Sequence, residues 1–282
     1  MAVAKVQRLA RIALNCRAPQ TSADFFVRAL GFSQADPSLE AVRSAGALRL
    51  SLGASRLDLN CAGVDARDYP NVLPGWSPLF QHFAIVTADM GGAFARLRQT
   101  PGWTAISEHG PQQLPPSSGG VTAFKFRDPD GHPLELISVP GGDPTPRIDH
   151  SAISVADTAR STLFYQALGL SIASRSINQG PEQDRLDGMR GVDVEVTGLM
   201  PARPPGAHIE LLCYRGEHHR GGVAGLDDVA ATRLVLMVSS RQDLDAIRAN
   251  PPGPIAAHHR RGAPALQLRD PDGHLLQIEI EA

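Results

Sequence analysis

Phe126-Arg-Asp-Pro-Asp-Gly-His-Pro-Leu-Glu-Leu136 and Leu268-Arg-Asp-Pro-Asp-Gly-His-Leu-Leu-Gln-Ile278 are two copies of one segment, 142 residues apart. Each reads as strand, tight turn, strand. Pro presets φ at the second turn position, Gly supplies a positive φ, and Asp bonds nearby backbone amides. A calcium loop is excluded, because neither copy has alternating oxygen ligands and a distal Glu. His132 and His274 are therefore expected to be turn residues rather than metal ligands.

Working outward, a second pair of matching segments precedes each copy. Arg11-Ile-Ala-Leu-Asn15 with Arg28-Ala-Leu-Gly-Phe32 matches His150-Ser-Ala-Ile-Ser154 with Gln166-Ala-Leu-Gly-Leu170, at an offset of 139 residues. Two non-overlapping pairs with nearly equal offsets make the chain a duplication. The join falls in Pro140-Gly-Gly-Asp-Pro-Thr-Pro146, where Gly and Pro stop regular structure. The expected domains are thus residues 1–141 and 146–282.

Each half is itself double. An apolar strand at about 8–16 leads into a helix at about 21–31, whose first turn offers Thr21, Ser22 and Asp24 and which Gly31 closes. Strands follow near 47–52 and 55–61. The same order restarts at Leu79, with a helix at about 89–99 and strands near 103–108, 121–127 and 133–139, then again at Ile148 and near Thr232. This predicts four modules, at about 5–65, 78–140, 147–216 and 230–282, each of the order βαβββ. Helices covering mainly antiparallel sheets make an α+β fold.

Composition narrows the function classes. With 282 residues the chain can bury two ordinary cores. A content of 42% apolar and 20% charged residues is that of a globular protein. The formal net charge of -2, with signs interspersed, gives no footprint for nucleic acid or an anionic membrane. No apolar run is long enough to span a membrane, and Met1 to Val6 lacks the apolar core of a secretory signal. Cys16, Cys61 and Cys213 are odd in number and far apart, which argues against a disulfide framework. The expected setting is the cytoplasm, the partner a small-molecule substrate, and the assembly a monomer or homodimer.

The informative residues are metal-competent groups inside apolar strands. They are His82 in Phe80-Gln-His-Phe-Ala84, Glu135 in Pro133-Leu-Glu-Leu-Ile137, His150 in Ile148-Asp-His-Ser-Ala152 and Glu210 in His208-Ile-Glu-Leu-Leu212. Side chains alternate across a strand, so His82 shares a face with Phe80, Ala84 and Val86, and Glu135 with Pro133, Ile137 and Val139. A buried, unpaired carboxylate is costly, and a divalent cation removes the cost. Singly, each residue has a structural explanation. Together, two adjacent modules each offer a His on the first strand and a Glu on the last.

On these residues, and on the His-strand, Ala-Leu-Gly and Asp-Pro-Asp-Gly elements, the chain resembles the vicinal oxygen chelate superfamily. Its members include glyoxalase I, methylmalonyl-CoA epimerase, extradiol ring-cleaving dioxygenases, fosfomycin-resistance enzymes and bleomycin-binding proteins. The resemblance covers nearly the whole chain. It implies that two modules close into a cup, with metal ligands on the first and last strand of each. Pairing in chain order puts an Arg into each set: Arg11, Asp58, His82 and Glu135, or His150, Glu210, Arg233 and Gln277. Pairing of the inner modules gathers His82, Glu135, His150 and Glu210, a set that resembles glyoxalase I. It leaves Arg11, Asp58, Arg233 and Gln277 in a metal-free outer cup. This segregation favours inner pairing, with the imidazoles of His82 and His150 within about 5 Å of each other.

The implied cofactor is a divalent metal ion: Zn, Ni, Co, Mn or Fe(II). The implied function is proton transfer next to a carbonyl by a lyase, isomerase or epimerase, with Glu135 or Glu210 as the base. An extradiol-type dioxygenase and a non-catalytic, bleomycin-resistance-like binding protein are the alternatives. Asn178, Gln183 and Arg185, in the segment joining strands of the third module, are candidates to close over a polar substrate. Trp76 and Phe80 are candidates for the cup's wall.

Overall fold

The computed structural model describes residues 6–34, 47–204, 206–216, 222–257 and 265–281. Residues 1–5, part of the amino-terminal stretch read above, lie outside the described residues. The first module comprises β1 (Val6–Cys16), α1 (Pro19–Leu30), β2 (Ser33–Gln34), β3 (Leu48–Leu52) and β4 (Ser55–Cys61). In the second are β5 (Gln81–Val86), α2 (Met90–Gln99), β6 (Thr104–Ala105), β7 (Gln112–Gln113), β8 (Thr122–Arg127) and β9 (Pro133–Ser138). The third contains β10 (Ile148–Ser154), α3 (Thr158–Ala167), β11 (Ser171–Gln179), α4 (Pro181–Asp187), β12 (Asp193–Met200) and β13 (His208–Tyr214). The fourth has β14 (Arg233–Val238), α5 (Arg241–Ala249), β15 (Ile255–Ala257), β16 (Ala265–Arg269) and β17 (Leu275–Ile280).

Local chemistry explains the helix limits. Asp89, Asp157 and Ser240 cap α2, α3 and α5 by accepting from the backbone amides of Gly92, Arg160 and Asp243. The first helix begins earlier than Thr21, because Pro19 presets its first turn; Ala18 precedes it without a side-chain cap. Gly31, at φ 76°, closes it with a left-handed cap.

Two mixed, mainly antiparallel sheets result. One runs β15-β16-β17-β14-β1-β4-β3-β2, and the other β11-β12-β13-β10-β5-β9-β8-β6 with β7 against β8. The outer modules share the first sheet, and the inner modules share the second. Residues 1–141 and 146–282 are therefore repeats with interleaved sheets, and neither half keeps a sheet to itself. The two seams, β1 against β14 and β5 against β10, are antiparallel, while each module's first and last strands are parallel neighbours.

Alternation along the strands sends one face to a common core. Leu14, Phe26 and Leu57 of the first module pack in one buried cluster with Phe83 and Leu134, Ile153 and Leu211, and Leu234 and Ile278 of the others. The opposite faces carry the candidate charged residues beside smaller apolar clusters.

The repeated turns tie the modules together. Asp128 Oδ1 accepts from the amides of Asp130 and His132 at 3.0 and 2.9 Å, and Gly131 takes φ 93°. Asp270 does the same for Asp272 and His274, with Gly273 at φ 96°. Asp130 accepts from Ser22 Oγ of α1, and Asp272 from Ser161 Oγ of α3. Sheets thus join the first module to the fourth and the second to the third, while turns join the modules within each half. His132 and His274 are buried and bond the carbonyls of Val229 and Ser154, away from the metal-competent set.

Candidate metal centre

One register rule places all four candidate positions of both cups. The residue two places after the first-strand position pairs with the last-strand position. Ala84 pairs with Glu135, Ala152 with Glu210, Ala13 with Asp58, and Val235 with Gln277. Across the inner seam His82 faces Ala152 and His150 faces Ala84, and across the outer seam Arg11 faces Val235 and Ala13 faces Arg233. Each cup therefore has a pseudo-twofold axis through its seam. In the inner cup the small side chains of Ala84 and Ala152 face the imidazoles across the seam, and the two ring centroids are 6.0 Å apart.

Three of the inner quartet, His82, Glu135 and His150, are close-packed and buried, and Glu210 is half-buried beside them. Ligand atoms of His82, Glu135 and His150 all lie within 4.8 Å of one another. His82 Nε2 is 3.2 Å from Glu135 Oε2; His150 Nε2 is 3.7 Å from Glu135 Oε2 and 3.5 Å from Glu210 Oε2. Two apolar clusters flank them. One holds Ala84, Val86 and Ile137 with Leu186 of α4, and the other Ala152, Val194 and Tyr214 with Trp76 against them. Phe80 stacks edge-on to His82 at 5.6 Å between centroids. Both sequence candidates for the wall thus stand beside the quartet.

Neighbours that sequence reasoning passed over complete the centre. A bulge between Ile148 and His150 turns Asp149 toward the His150 ring, where Asp149 Oδ2 is 3.1 Å from His150 Nδ1. That contact leaves His150 Nε2 for a ligand bond. His208 Nε2 is 3.3 Å from Glu210 Oε1, and Asp149, His150 and His208 form a second close group. Lys125, opposite Glu135 across β8 and β9, is buried and donates to Asp187 Oδ1 at 2.6 Å. Signals existed for two of them. Lys125 is a charge inside the apolar run Phe124-Lys-Phe126, and His208 shares a face with Glu210 two residues on.

Burial raises the Glu135 carboxyl, but Lys125 and the imidazoles of His150 and His82 outweigh it and hold it well below the usual carboxylate range. Burial, helped by Lys125, holds His82 below the ordinary imidazole value. Burial also disfavours a charged His150, but Glu210, Asp149 and Glu135 prevail and raise it well above that value. Glu210 is lowered, since His150 and His208 outweigh its burial. A proton on His150 thus sits between two carboxylates, where a cation satisfies the same charges. His82 Nδ1 is buried without a hydrogen-bond partner. Two imidazoles and two carboxylates suit a divalent ion, and the residues present fit one.

The three substrate candidates separate. The segment that holds Gln183 and Arg185 folds as α4, bounded by Gly180 and Gly188, with Gln183, Leu186 and Asp187 buried. Gln183 Nε2 donates to Asp187 Oδ2 at 3.0 Å, which ties it to Lys125. Arg185 instead bonds Gln112 and Glu182, and Asn178 accepts from Ser176 Oγ. Among the described residues, no hydrogen bond joins Asn178 or Arg185 to the quartet.

The outer cup is knit by ion pairs and hydrogen bonds. Arg11 donates to Asp58 Oδ2 and to Glu279 Oε1, both at 2.7 Å, and Arg49 grips both Asp58 oxygens. Arg233 donates to Asn15 Oδ1. A guanidinium there occupies the place of an ion.

Residues 8–136 match the family model of the Glyoxalase/Bleomycin resistance protein/Dioxygenase superfamily. Among solved structures, glyoxalase I from Zea mays superposes with TM-score 0.64 at 16% identity, covering 96% of this chain and 91% of that one. A point variant of the same maize enzyme gives TM-score 0.63 at 17% identity, covering 97% and 93%. A presumed dioxygenase from Bacillus subtilis gives 0.55 at 16% identity, covering 98% and 86%. Among curated protein sequences none matches. At such identities the superpositions show the fold alone.

Proposed function

We propose that this chain, whose residues 8–136 match the Glyoxalase/Bleomycin resistance protein/Dioxygenase superfamily, is a metal-dependent enzyme that moves a proton next to a carbonyl, as a glyoxalase-type lyase, isomerase or epimerase. The observation that carries this reading is the pair of carboxylates around His150, Glu135 at 3.7 Å and Glu210 at 3.5 Å, related by the seam's pseudo-twofold axis. His82, Glu135, His150 and Glu210 would hold the ion: Zn, Ni, Co, Mn or Fe(II). When bound, it supplies Lewis acidity toward a carbonyl oxygen and its neighbouring oxygen.

The residues divide the remaining work. Glu135, almost wholly buried and contacted by both imidazoles, is the fixed carboxylate. Glu210, with 22% of its side chain exposed, is the one free to swing, and it takes the proton from carbon and returns it. Asp149 holds the His150 ring. Leu186 of α4 and the flanking apolar clusters keep water from the reacting carbon, and the small substrate lies between them.

A second reading rests on the compactness of His82, Glu135 and His150 within 4.8 Å, a group that excludes Glu210. Two His and one carboxylate are the set used by non-haem Fe(II) oxygenases. Protein stripped by chelator and reloaded separates the two. We expect Zn or Ni to restore turnover of a hemithioacetal or an epimerisable 2-methyl-3-oxoacyl thioester without oxygen. Oxygen-dependent cleavage of a catechol, restored by Fe(II) alone, defeats the proton-transfer reading.

A further inference from the structure

Lys125 breaks the symmetry of the inner cup. The position opposite each last-strand residue is Arg49, Lys125, Gly198 and Gln267 in the four modules. Beside Glu135 there is an ammonium, whereas Gly198 beside Glu210 has no side chain of its own, and the Ser174 hydroxyl and the His208 ring stand over it. The two ends of the inner cup thus differ, and of these two positions only the one beside Glu135 carries an ammonium.

The ammonium is fixed but not saturated. Asp187, at the end of α4, accepts from Lys125 Nζ at 2.6 Å on one oxygen, and from Tyr214 Oη at 3.1 Å and Gln183 Nε2 at 3.0 Å on the other. Asp187 is an anchor with its lone pairs engaged. Lys125 Nζ has three N–H donors, and Asp187 is its one hydrogen-bond partner among the described residues. Two donors of a buried cation are left for another acceptor, a costly arrangement unless an anion completes it. Glu135 and Glu210 attract it through space, but among the described residues neither is hydrogen-bonded to it.

We propose that Lys125 binds a carboxylate of the substrate, so that the substrate class of this site is a small oxygenated acid held by its acid group at the Glu135 end. The reacting carbon then lies toward the Glu210 end. This rests on the metal-centre reading, and Lys125 acts as a binding residue in it.

Calorimetry on the Zn2+-loaded protein tests it with matched chelators. Acetohydroxamate is compared with the monohydroxamates of succinate and glutarate, which chelate alike and carry one carboxylate more. At least one acid should bind about tenfold tighter or more than acetohydroxamate, as a charge-assisted hydrogen bond gives. Lys125→Met should erase that preference, the acids then binding no tighter than acetohydroxamate, while the protein still takes up Zn2+, which a general loss of structure would not allow. Should Lys125→Met fail to fold, Lys125→Met with Asp187→Asn removes both charges of the pair and should give the same result. Equal affinities in the wild type, or a preference that survives in either folded variant, overturn the carboxylate role alone. A wild type that takes up no Zn2+ overturns the metal centre and this proposal together.

Discussion

Glu135 and Glu210 stand at equivalent register positions, yet their surroundings assign them different work. Glu135 faces both imidazoles and the Lys125 field, so Glu135→Gln should chiefly weaken metal binding. Glu210→Gln should keep the metal and lower kcat by about 10²–10⁴-fold, the usual contribution of a positioned base. Elemental analysis beside single-turnover kinetics checks the split; equal loss of metal in both variants would refute it. His150 adds a pH dependence. Its folded pKa is raised by Glu210 and Asp149 against burial, so a proton competes with the ion for Nε2. Metal affinity should therefore rise with pH until His150 is neutral, read by competition titration from pH 5 to 9. Asp149→Asn should lower metal affinity about 10–100-fold, as loss of a carboxylate behind a ligating imidazole does. The quartet was legible because each member interrupts an apolar strand. Asp149 was not, since alternation puts it on the far face and only a bulge returns it.

The turns and α4 show what elements add. The His132 imidazole is raised above its ordinary value: burial opposes the charge, but Asp128 overcomes it. Protonated, it gives one N–H to Asp128 and the other to the Val229 carbonyl. The folded protein then holds this proton at pH values where the unfolded chain, near pKa 6.5, has released it. Its stabilisation is complete below about pH 6.5 and fades as pH rises through the folded value, by at most about 1.4 kcal/mol per pH unit. Denaturant unfolding of metal-free protein from pH 6 to 9 should show the decline, with His150 contributing in the same direction. His132→Gln should flatten the part due to the turn; an unchanged slope would place that proton elsewhere. The turn itself was readable from Pro, Gly and Asp. Its bonds to Ser22 and Val229 were not, because they join residues far apart in the chain. Helix α4 was read only as a joining segment: seven residues between two glycines are too few to show a helical period.

At the scale of the molecule, the four modules form a ring in which alternate joints are sheets and turns. Segregation of ligands from arginines pointed to the sheet partners, since chain-order pairing puts a guanidinium into both cups. The sequence halves are nonetheless real as connectivity, because turns bond α1 to the second module and α3 to the fourth. A cut in the exposed linker at 140–146 tests the ring. Alone, residues 1–143 leave β1 and β5 without their seam partners β14 and β10, and unpaired strand edges seek partners. Either half should then be associated or unfolded, and neither should hold, as a monomer, the ion that needs His82 and Glu135 from one half and His150 and Glu210 from the other. Mixed or co-expressed, the halves should form a one-to-one complex with one metal per complex, measured by light scattering and elemental analysis. A folded, monomeric amino-terminal half that binds the metal as tightly as the whole chain would mean that its own two modules close a cup, and the interleaved sheets would be wrong.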